Sequence, residues 1–178
     1  HYQEIPADFC VMAVNKAVLI SSVPADIWII NQMTENVQPW YNEADATFNG
    51  IRIFRYSAAV LRPPSRVNNG YYFQVLTAPT ERLNPNKLRP IDGVIRSGGS
   101  ITGCAIQLAY NFGASEILLC GADMSGDEYW DGTFNVRPSH GDIWPATAKV
   151  NSLIKWLVEE KDIKISTLSP TKLNVPEY

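Results

Sequence analysis

The sequence is poor in the features that most directly indicate a function. It contains only two histidines and three cysteines, and neither a Cys-x-x-Cys pair nor the Cys/His spacing of a zinc site occurs. There is no long basic run, and a formal net charge of −3 disfavours sequence-independent binding to nucleic acid or to an anionic membrane. No apolar run approaches the roughly 20 residues that span a bilayer. Nucleic-acid binding, membrane insertion and a structural zinc site are therefore not expected.

The composition is that of a globular protein. Hydrophobic residues make up 46% and charged residues 19% of the 178 residues, enough for one domain with a substantial core. The three cysteines, Cys10, Cys104 and Cys120, are odd in number and stand among apolar neighbours. This pattern indicates buried free thiols in a reducing compartment, so we expect a cytoplasmic protein.

Four short segments predict strands. Residues 8–15, 26–32 and 116–124 each contain a run of mostly apolar residues that is followed by polar residues or glycine, and KISTLSP, residues 164–170, predicts a last strand. Such runs are typical of strands covered on both faces in a parallel sheet. In EILLCGADM, residues 116–124, the run ends in Gly-Ala-Asp, so a carboxylate follows a strand that we expect to be central.

Two segments have the periodicity of amphipathic helices. The first stripe recurs at i, i+3, i+4, i+7, i+8 and i+11; its members are Ile101, Cys104, Ala105, Leu108, Ala109 and Phe112. Ser97 or Ser100 can cap the start of this helix, and Gly113 stands where a left-handed residue is expected at its end. Pro145 opens a second predicted helix, whose apolar face consists of Val150, Leu153, Ile154 and Leu157.

Strands that alternate with helices predict an α/β fold. We expect a three-layer, Rossmann-like arrangement with a mostly parallel sheet, in a single domain of residues 1–178. Prolines punctuate residues 34–90, which predicts an irregular insertion with one or two strands. Ligands of such sheets bind beyond the carboxyl ends of the strands, where the pattern puts Asn15, Asn31 and Asp123.

The loop Ser97–Gly98–Gly99–Ser100 precedes the first of these helices and is a candidate anion site. A helix N-terminus offers free backbone N–H groups and a partial positive charge. Glycines let a phosphate approach that backbone, and serines add hydroxyl donors. A Gly/Ser loop before a helix is more often a plain capped turn, and both interpretations stay open.

Three further side chains are candidates for catalysis or substrate binding. Asp123 can hold a ribose hydroxyl or orient a base, and it can also simply cap a neighbouring helix. His140 lies in the polar stretch RPSHGD, and the ordinary pKa of histidine suits a general base; an inert surface histidine is the alternative. Tyr129, in DEYWDGTF, can stack on a base or sugar or serve loop packing alone.

At these same residues the chain resembles a known group. GASEILLCGADM, followed by a loop, a Ser-His pair and a helix that leads to KISTLSPTKL, resembles the bacterial family 42 sialyltransferases. It is similar as well to the related archaeal hydroxymethylpterin diphosphokinase-like proteins. The resemblance covers about residues 5–32 and 93–173, and its most specific element is Gly-Ala-x-x-Ile-x-Leu-x-Gly-x-Asp.

The resemblance implies roles for individual residues. Asn15 matches the asparagine that contacts the donor nucleotide, and Ser97 to Ser100 match the loop that holds the donor. Asp123 matches the aspartate at the strand end, Tyr129 the tyrosine that stabilises the leaving phosphate, and His140 the catalytic histidine. Those families begin with a strand and a Gly-x-Gly-Pro-Ser loop that is not found here, so the resemblance implies an N-terminally truncated or degenerate member.

Three classes of function follow from this reasoning. The first is a nucleotide-sugar-dependent glycosyltransferase with His140 as general base, requiring neither metal nor cofactor and binding a small nucleotide or nucleotide-sugar. The second is a diphosphokinase-like phosphoryl transfer, which requires Mg²⁺ held by carboxylates; the candidates are Asp123, Asp127, Glu128 and Asp131. The third is a non-catalytic nucleotide- or sugar-binding module.

Overall fold

The computed structural model describes residues 5–19, 24–30, 40–56, 70–75, 95–96, 100–122, 124 and 143–178. The chain divides into two compact units, Tyr2–Val75 and Leu76–Tyr178, called here the N-terminal unit and the C-terminal unit. Each has a hydrophobic core. The predicted α/β class and parallel sheet are confirmed, while the three-layer arrangement and the single domain stay predictions. None of the helices described has the combination of length and hydropathy that a bilayer span requires.

A parallel sheet of four strands forms the N-terminal unit. The strands follow one another in the order β1-β2-β3-β4 and comprise Met12–Val14, Ile27–Ile30, Ile51–Tyr56 and Gly70–Gln74. A 3₁₀ helix, Asn15–Leu19, follows β1, and helix α1, Trp40–Thr47, lies between β2 and β3. β2 is buried along its whole length, as its unbroken apolar sequence predicts.

Strands β3 and β4 lie inside residues 34–90, which we expected to be an irregular insertion with one or two strands. Both strands are present, and both extend the same parallel sheet: β3 pairs with β2, and β4 pairs with β3. The described parts of this stretch therefore continue the sheet rather than interrupt it. Neither β3 nor β4 contains a proline, so every residue of these two strands has a backbone N–H.

The core of the N-terminal unit is an aromatic cluster around Trp28. The Trp28 ring is fully buried, stacks on Tyr41 with ring centroids 5.4 Å apart, and meets Phe48 edge-on at 5.5 Å. Its indole N–H donates to the Asn15 carbonyl at 2.9 Å, so the one polar atom of the ring is satisfied inside the core. Phe54 lies on the same face of the sheet in the neighbouring strand and completes the cluster.

The turn between α1 and β3 has room for glycine alone. The Asp26 carbonyl accepts the Ile51 amide at 2.8 Å, which draws the backbone before β2 against the backbone of Gly50. A Cβ atom on Gly50 would overlap the Asp26 carbonyl oxygen and would lie 2.7 Å from Cζ of Phe48. The backbone cannot swing aside without breaking the hydrogen bond that starts β3.

The C-terminal unit contains two strands and two longer helices. Helix α2, Ile101–Asn111, is followed by β5, Glu116–Leu119, then by α3, Ile143–Lys161, and by β6, Lys164–Thr167. β5 and β6 pair in parallel; among the described strands β6 is the partner of β5, which we expected to be central. The buried members of the core are Ile106, Ile117, Leu119, Val150, Leu153, Ile154, Leu157, Ile163, Ile165 and Leu173.

The predicted helix faces are confirmed for α3 and shifted for α2. All four residues expected on the apolar face of α3 are buried, and α3 begins two residues before Pro145, which its first turn tolerates. On α2, Cys104 and Leu108 are buried as predicted, but Phe112 is 58% exposed. Phe112 forms the C-cap beyond the last helical residue, so the helical stripe no longer determines its direction.

Both long helices end in a left-handed residue. Gly113 has a φ of 90°, as predicted, and Ala114 and Gly113 donate to the carbonyls of Ala109 and Tyr110 at 3.1 and 2.9 Å. These two bonds form a Schellman motif, which satisfies carbonyls at the helix end. After α3 the equivalent conformation falls on Asp162, with a φ of 55°.

Cys104 is buried as expected, whereas Cys10 and Cys120 are not fully buried. Cys104 is buried, Cys120 is half-buried and Cys10 is exposed, and all three are free thiols. The expectation of a buried thiol is wrong for Cys10 because β1 begins only at Met12, so Cys10 precedes the strand instead of lying within it.

Gly50→Ala is expected to destabilise the protein by about 1–3 kcal/mol, the usual range for forcing extra atoms into a packed site. The backbone of Asp26 is the obstacle, so no side-chain rotation relieves it. Urea unfolding of Gly50→Ala beside Asn49→Ala, a change at an exposed neighbour, measures the difference. Equal stability of the two variants would contradict the close approach.

Asp162→Gly is expected to stabilise the protein by about 0.5 kcal/mol. Glycine adopts a left-handed conformation without steric cost, and the change removes a negative charge from the C-terminus of α3, where it is unfavourable. Part of this gain is offset because glycine is freer in the unfolded chain. The unfolding temperature should be highest for Asp162→Gly, lower for Asp162→Asn and the natural protein, and lowest for Asp162→Ala. Equal stability of Asp162→Ala and Asp162→Gly would contradict the left-handed conformation at this position.

Candidate functional site

The structure describes two of the predicted site residues. Ser100 belongs to the C-terminal unit and Asn15 to the N-terminal unit. The other predicted residues lie outside the described part of the chain: Asn31, Ser97, Gly98, Gly99, Asp123, Tyr129 and His140. The structural evidence therefore comes from Ser100 and Asn15, each within its own unit, and from the described residues that border the others in sequence.

Ser100 is the N-cap of α2. Its backbone is extended, with φ −135° and ψ 141°, and its side-chain oxygen accepts a hydrogen bond from the Thr102 amide at 3.1 Å. Its carbonyl accepts the Cys104 amide at 3.3 Å and starts the helical ladder. The predicted cap is confirmed for Ser100. One of the four orphan amides at the helix start is thus satisfied, and the Ser100 hydroxyl itself donates to Sδ of Met124 at 4.0 Å.

Met124 brings the segment beyond β5 against the start of α2. Its Sδ atom lies 4.0 Å from Oγ of Ser100, and its φ of 57° is a left-handed conformation that a long unbranched side chain seldom adopts. Met124 directly follows Asp123 in sequence. The described end of SGGS therefore contacts the residue that directly follows Gly-Ala-Asp in sequence, within one unit.

Hydroxyl side chains beyond β6 hold the residues that follow β5. The Ser169 hydroxyl accepts the Gly121 amide at 2.8 Å, and the Thr171 hydroxyl donates to the Ala122 carbonyl at 2.5 Å. Sequence reasoning missed both residues. The available signal was the alternation of hydroxyl side chains in STLSPT, at the carboxyl end of a predicted strand.

Gln107 anchors the chain just before the SGGS loop. Its side chain is 1% exposed; Oε1 accepts the Arg96 amide at 2.9 Å, and Nε2 donates to the carbonyls of Arg96 and Gly103 at 2.6 and 3.0 Å. All three bonds satisfy a buried carboxamide, which would otherwise be costly to bury. Sequence reasoning missed this residue too. A glutamine between the apolar residues Ile106 and Leu108 was the available indication of a buried polar side chain.

Asn15 has a structural role that is apparent from its backbone. It directly follows β1 with a φ of 49°, a left-handed conformation that asparagine tolerates better than most residues. Its carbonyl accepts the indole N–H of Trp28. Asn15 thus stands at the carboxyl end of β1, as predicted, and links that end to the aromatic cluster; its predicted contact with a nucleotide stays a prediction.

The strand order of the N-terminal unit bears on where a ligand can bind. The four described strands follow one another in sequence order. No reversal of strand order therefore opens a crevice among these strands. The carboxyl ends in the C-terminal unit, next to Ser100, are therefore the better supported place for a ligand.

Among the described residues, titratable side chains and possible metal ligands give little support for a catalytic site. Partial burial, then the negative charge of Asp26 and a hydrogen bond to it, raise the pKa of the Cys10 thiol, which makes it a poor nucleophile at neutral pH. No group of three or more His, Cys, Asp or Glu side chains suited to a metal ion occurs where the structure describes the chain. The loop carboxylates Asp127, Glu128 and Asp131 lie outside that part.

Comparisons of the chain with protein-family models, with curated proteins and with solved structures give no match. The likeness to sialyltransferases and diphosphokinase-like proteins therefore stays an expectation. The structural evidence for a function lies in Ser100, Met124 and the residues that hold their neighbours in place.

Ser100→Ala is expected to lower the free energy of unfolding by about 1 kcal/mol, because the Thr102 amide loses its acceptor. Ser100→Asp keeps an acceptor at the N-cap and adds a negative charge that the helix N-terminus favours, so it should be as stable as the natural protein. Chemical denaturation of both variants, with Ser115→Ala as an exposed serine control, checks this. A fully stable Ser100→Ala protein would show that the cap contributes nothing.

Proposed function

We propose that the chain is a nucleotide-sugar-dependent glycosyltransferase of the sialyltransferase type, which works without a metal ion. The phosphate of the donor binds at the N-terminus of α2, with Ser97, Gly98, Gly99 and Ser100 around it. Asp123 lies on the donor side of the site, and His140 acts on the acceptor.

The contact between Ser100 and Met124 is the observation that carries this proposal. The proposed phosphate loop ends at Ser100, and Asp123 immediately precedes Met124; the 4.0 Å separation of Oγ and Sδ supports a common site. The positive end of the helix dipole and the orphan amides of the first turn favour a bound anion. Because Ser100 Oγ accepts from Thr102 and donates to Sδ of Met124, a phosphate oxygen that accepts the Ser100 proton would replace the weak sulfur acceptor.

The reaction assigns one task to each catalytic residue. His140 accepts the proton of the acceptor hydroxyl as the acceptor oxygen forms its bond to the anomeric carbon of the donor sugar. The bond from that carbon to the donor phosphate oxygen breaks, and its electron pair leaves with the nucleotide. Tyr129 donates a hydrogen bond to the leaving phosphate.

His140→Ala is expected to abolish donor turnover while leaving nucleotide binding nearly unchanged, because the proposed base acts on the acceptor and not on the nucleotide. His1→Ala, at the other histidine of the chain, is the matched control. In the natural protein, turnover should rise as the pH is raised, because a histidine base acts in its neutral form. Full activity of His140→Ala would exclude the general base.

Further binding and activity experiments distinguish the proposed glycosyltransferase from the alternative functions. Activity or nucleotide binding that is lost in EDTA and restored by Mg²⁺ would favour phosphoryl transfer, which depends on the metal. Nucleotide binding without donor turnover would favour a binding module. Ser100→Asp retains the helix cap but repels an anion, so it should weaken nucleotide binding several-fold; unchanged binding would place the phosphate elsewhere.

A further inference from the structure

The pair Asn49–Gly50 has no part in the function proposed above and belongs to the N-terminal unit alone. It lies in the short turn between α1, which ends at Thr47, and β3, which begins at Ile51. The Asn49 side chain is exposed, and among the described residues it has no hydrogen-bond partner. No described contact therefore explains why an asparagine stands at this position.

The fold requires glycine at the next position. The Asp26 carbonyl oxygen leaves no room for a Cβ atom on Gly50, so no side chain can shield the Gly50 amide nitrogen from the asparagine before it. Within the described part of the chain that amide has no acceptor either. The packing that holds the start of β3 against Asp26 thus leaves an unprotected backbone nitrogen next to an exposed carboxamide.

These two groups can react with each other without a catalyst. The Gly50 nitrogen loses its proton and bonds to the side-chain carbonyl carbon of Asn49, and the carbon–nitrogen bond of the carboxamide breaks to release ammonia. This closes a five-membered succinimide ring, a step favoured because both groups belong to one chain. Water then opens the ring. Attack at the side-chain carbonyl gives aspartate, and attack at the backbone carbonyl gives isoaspartate, in which the main chain continues through the former side chain.

The backbone on both sides of the pair is anchored by hydrogen bonds. The Phe48 carbonyl accepts Nη2 of Arg52 at 2.7 Å, and the Ile51 amide donates to the Asp26 carbonyl at 2.8 Å. Isoaspartate adds a methylene group to the main chain between these two bonds. The Arg52 side chain can follow a displaced carbonyl, whereas the bond between Ile51 and Asp26 joins two backbone groups that cannot.

We infer that Asn49 is a site of spontaneous deamidation in the folded protein, and that its conversion to isoaspartate breaks the hydrogen bond between Ile51 and Asp26. The inference is independent of the proposed function, since it involves no ligand and no turnover. The product carries a carboxylate in place of a neutral carboxamide, so anion exchange separates converted from unconverted molecules.

The test follows isoaspartate in the full chain during incubation in warm, mildly alkaline buffer. Labelling with an isoaspartate methyltransferase and S-adenosylmethionine measures the product, and peptide mapping assigns it to a position. The sequence contains one other Asn-Gly pair, Asn69–Gly70, so Asn49→Gln and Asn69→Gln are matched variants. Glutamine would have to close a less favourable six-membered ring. We expect Asn49→Gln to lose the label of the α1–β3 turn and Asn69→Gln to retain it.

Incubation in urea shows how the fold affects the reaction. If residue 49 forms isoaspartate in urea and none in the native protein, the folded turn prevents ring closure and the inference is overturned. An absence of isoaspartate at residue 49 under both conditions would overturn it as well.

Amide hydrogen exchange tests the structural consequence. In the purified isoaspartate form, we expect the Ile51 amide to exchange about tenfold faster than in the natural protein, because it has lost its acceptor, with β5 and β6 unaffected. Asn49→Asp is the control, since it adds the negative charge without the additional methylene and should exchange as slowly as the natural protein. Unchanged exchange at Ile51 in the isoaspartate form would overturn the predicted loss of the hydrogen bond.

Discussion

Parallel pairing of β5 with β6 is the constraint on which the C-terminal unit depends. Two parallel strands cannot be joined by a tight turn, so the chain has to cross from one to the other, and α3 lies in that crossover with Val150, Leu153 and Leu157 fully buried. The same constraint brings the carboxyl ends of both strands to one edge. Backbone groups that leave the ladder there are met by hydroxyls, and the start of α2 lies against the same edge through the Ser100–Met124 contact.

The features that could be predicted from the sequence depend on neighbours a few residues apart. The cap at Ser100, the left-handed Gly113 and the buried face of α3 all follow from local hydrogen bonding or from helical period. The strands β3 and β4 were expected only within an irregular stretch, because prolines next to them obscured the apolar pattern. Their membership of the sheet depends on pairing with β2, which local sequence does not encode.

The parts of the candidate site that escaped prediction are joined by long-range hydrogen bonds. Gln107 bonds to a residue eleven positions away, and Thr171 bonds to one forty-nine positions away. A polar side chain of this kind looks like an interruption of an apolar pattern until its partner is known. Of the predicted residues, Ser100 and Asn15 were correctly expected at a helix start and at a strand end, and in both cases the observed hydrogen bonds are structural. Their proposed binding roles add to those bonds and do not replace them.

Two of the five tryptophans can serve as optical reporters, one for each core. Trp28 is enclosed by the aromatic rings of the N-terminal unit, whereas Trp156 is half-buried in the C-terminal unit, edge-on to Tyr110 and 5.0 Å from the ammonium group of Lys161. An indole surrounded by rings and an indole beside a cation differ in emission. Replacing each in turn by phenylalanine would separate its signal from that of the other tryptophans, and following both signals through denaturation would measure how far the two cores unfold as one cooperative system.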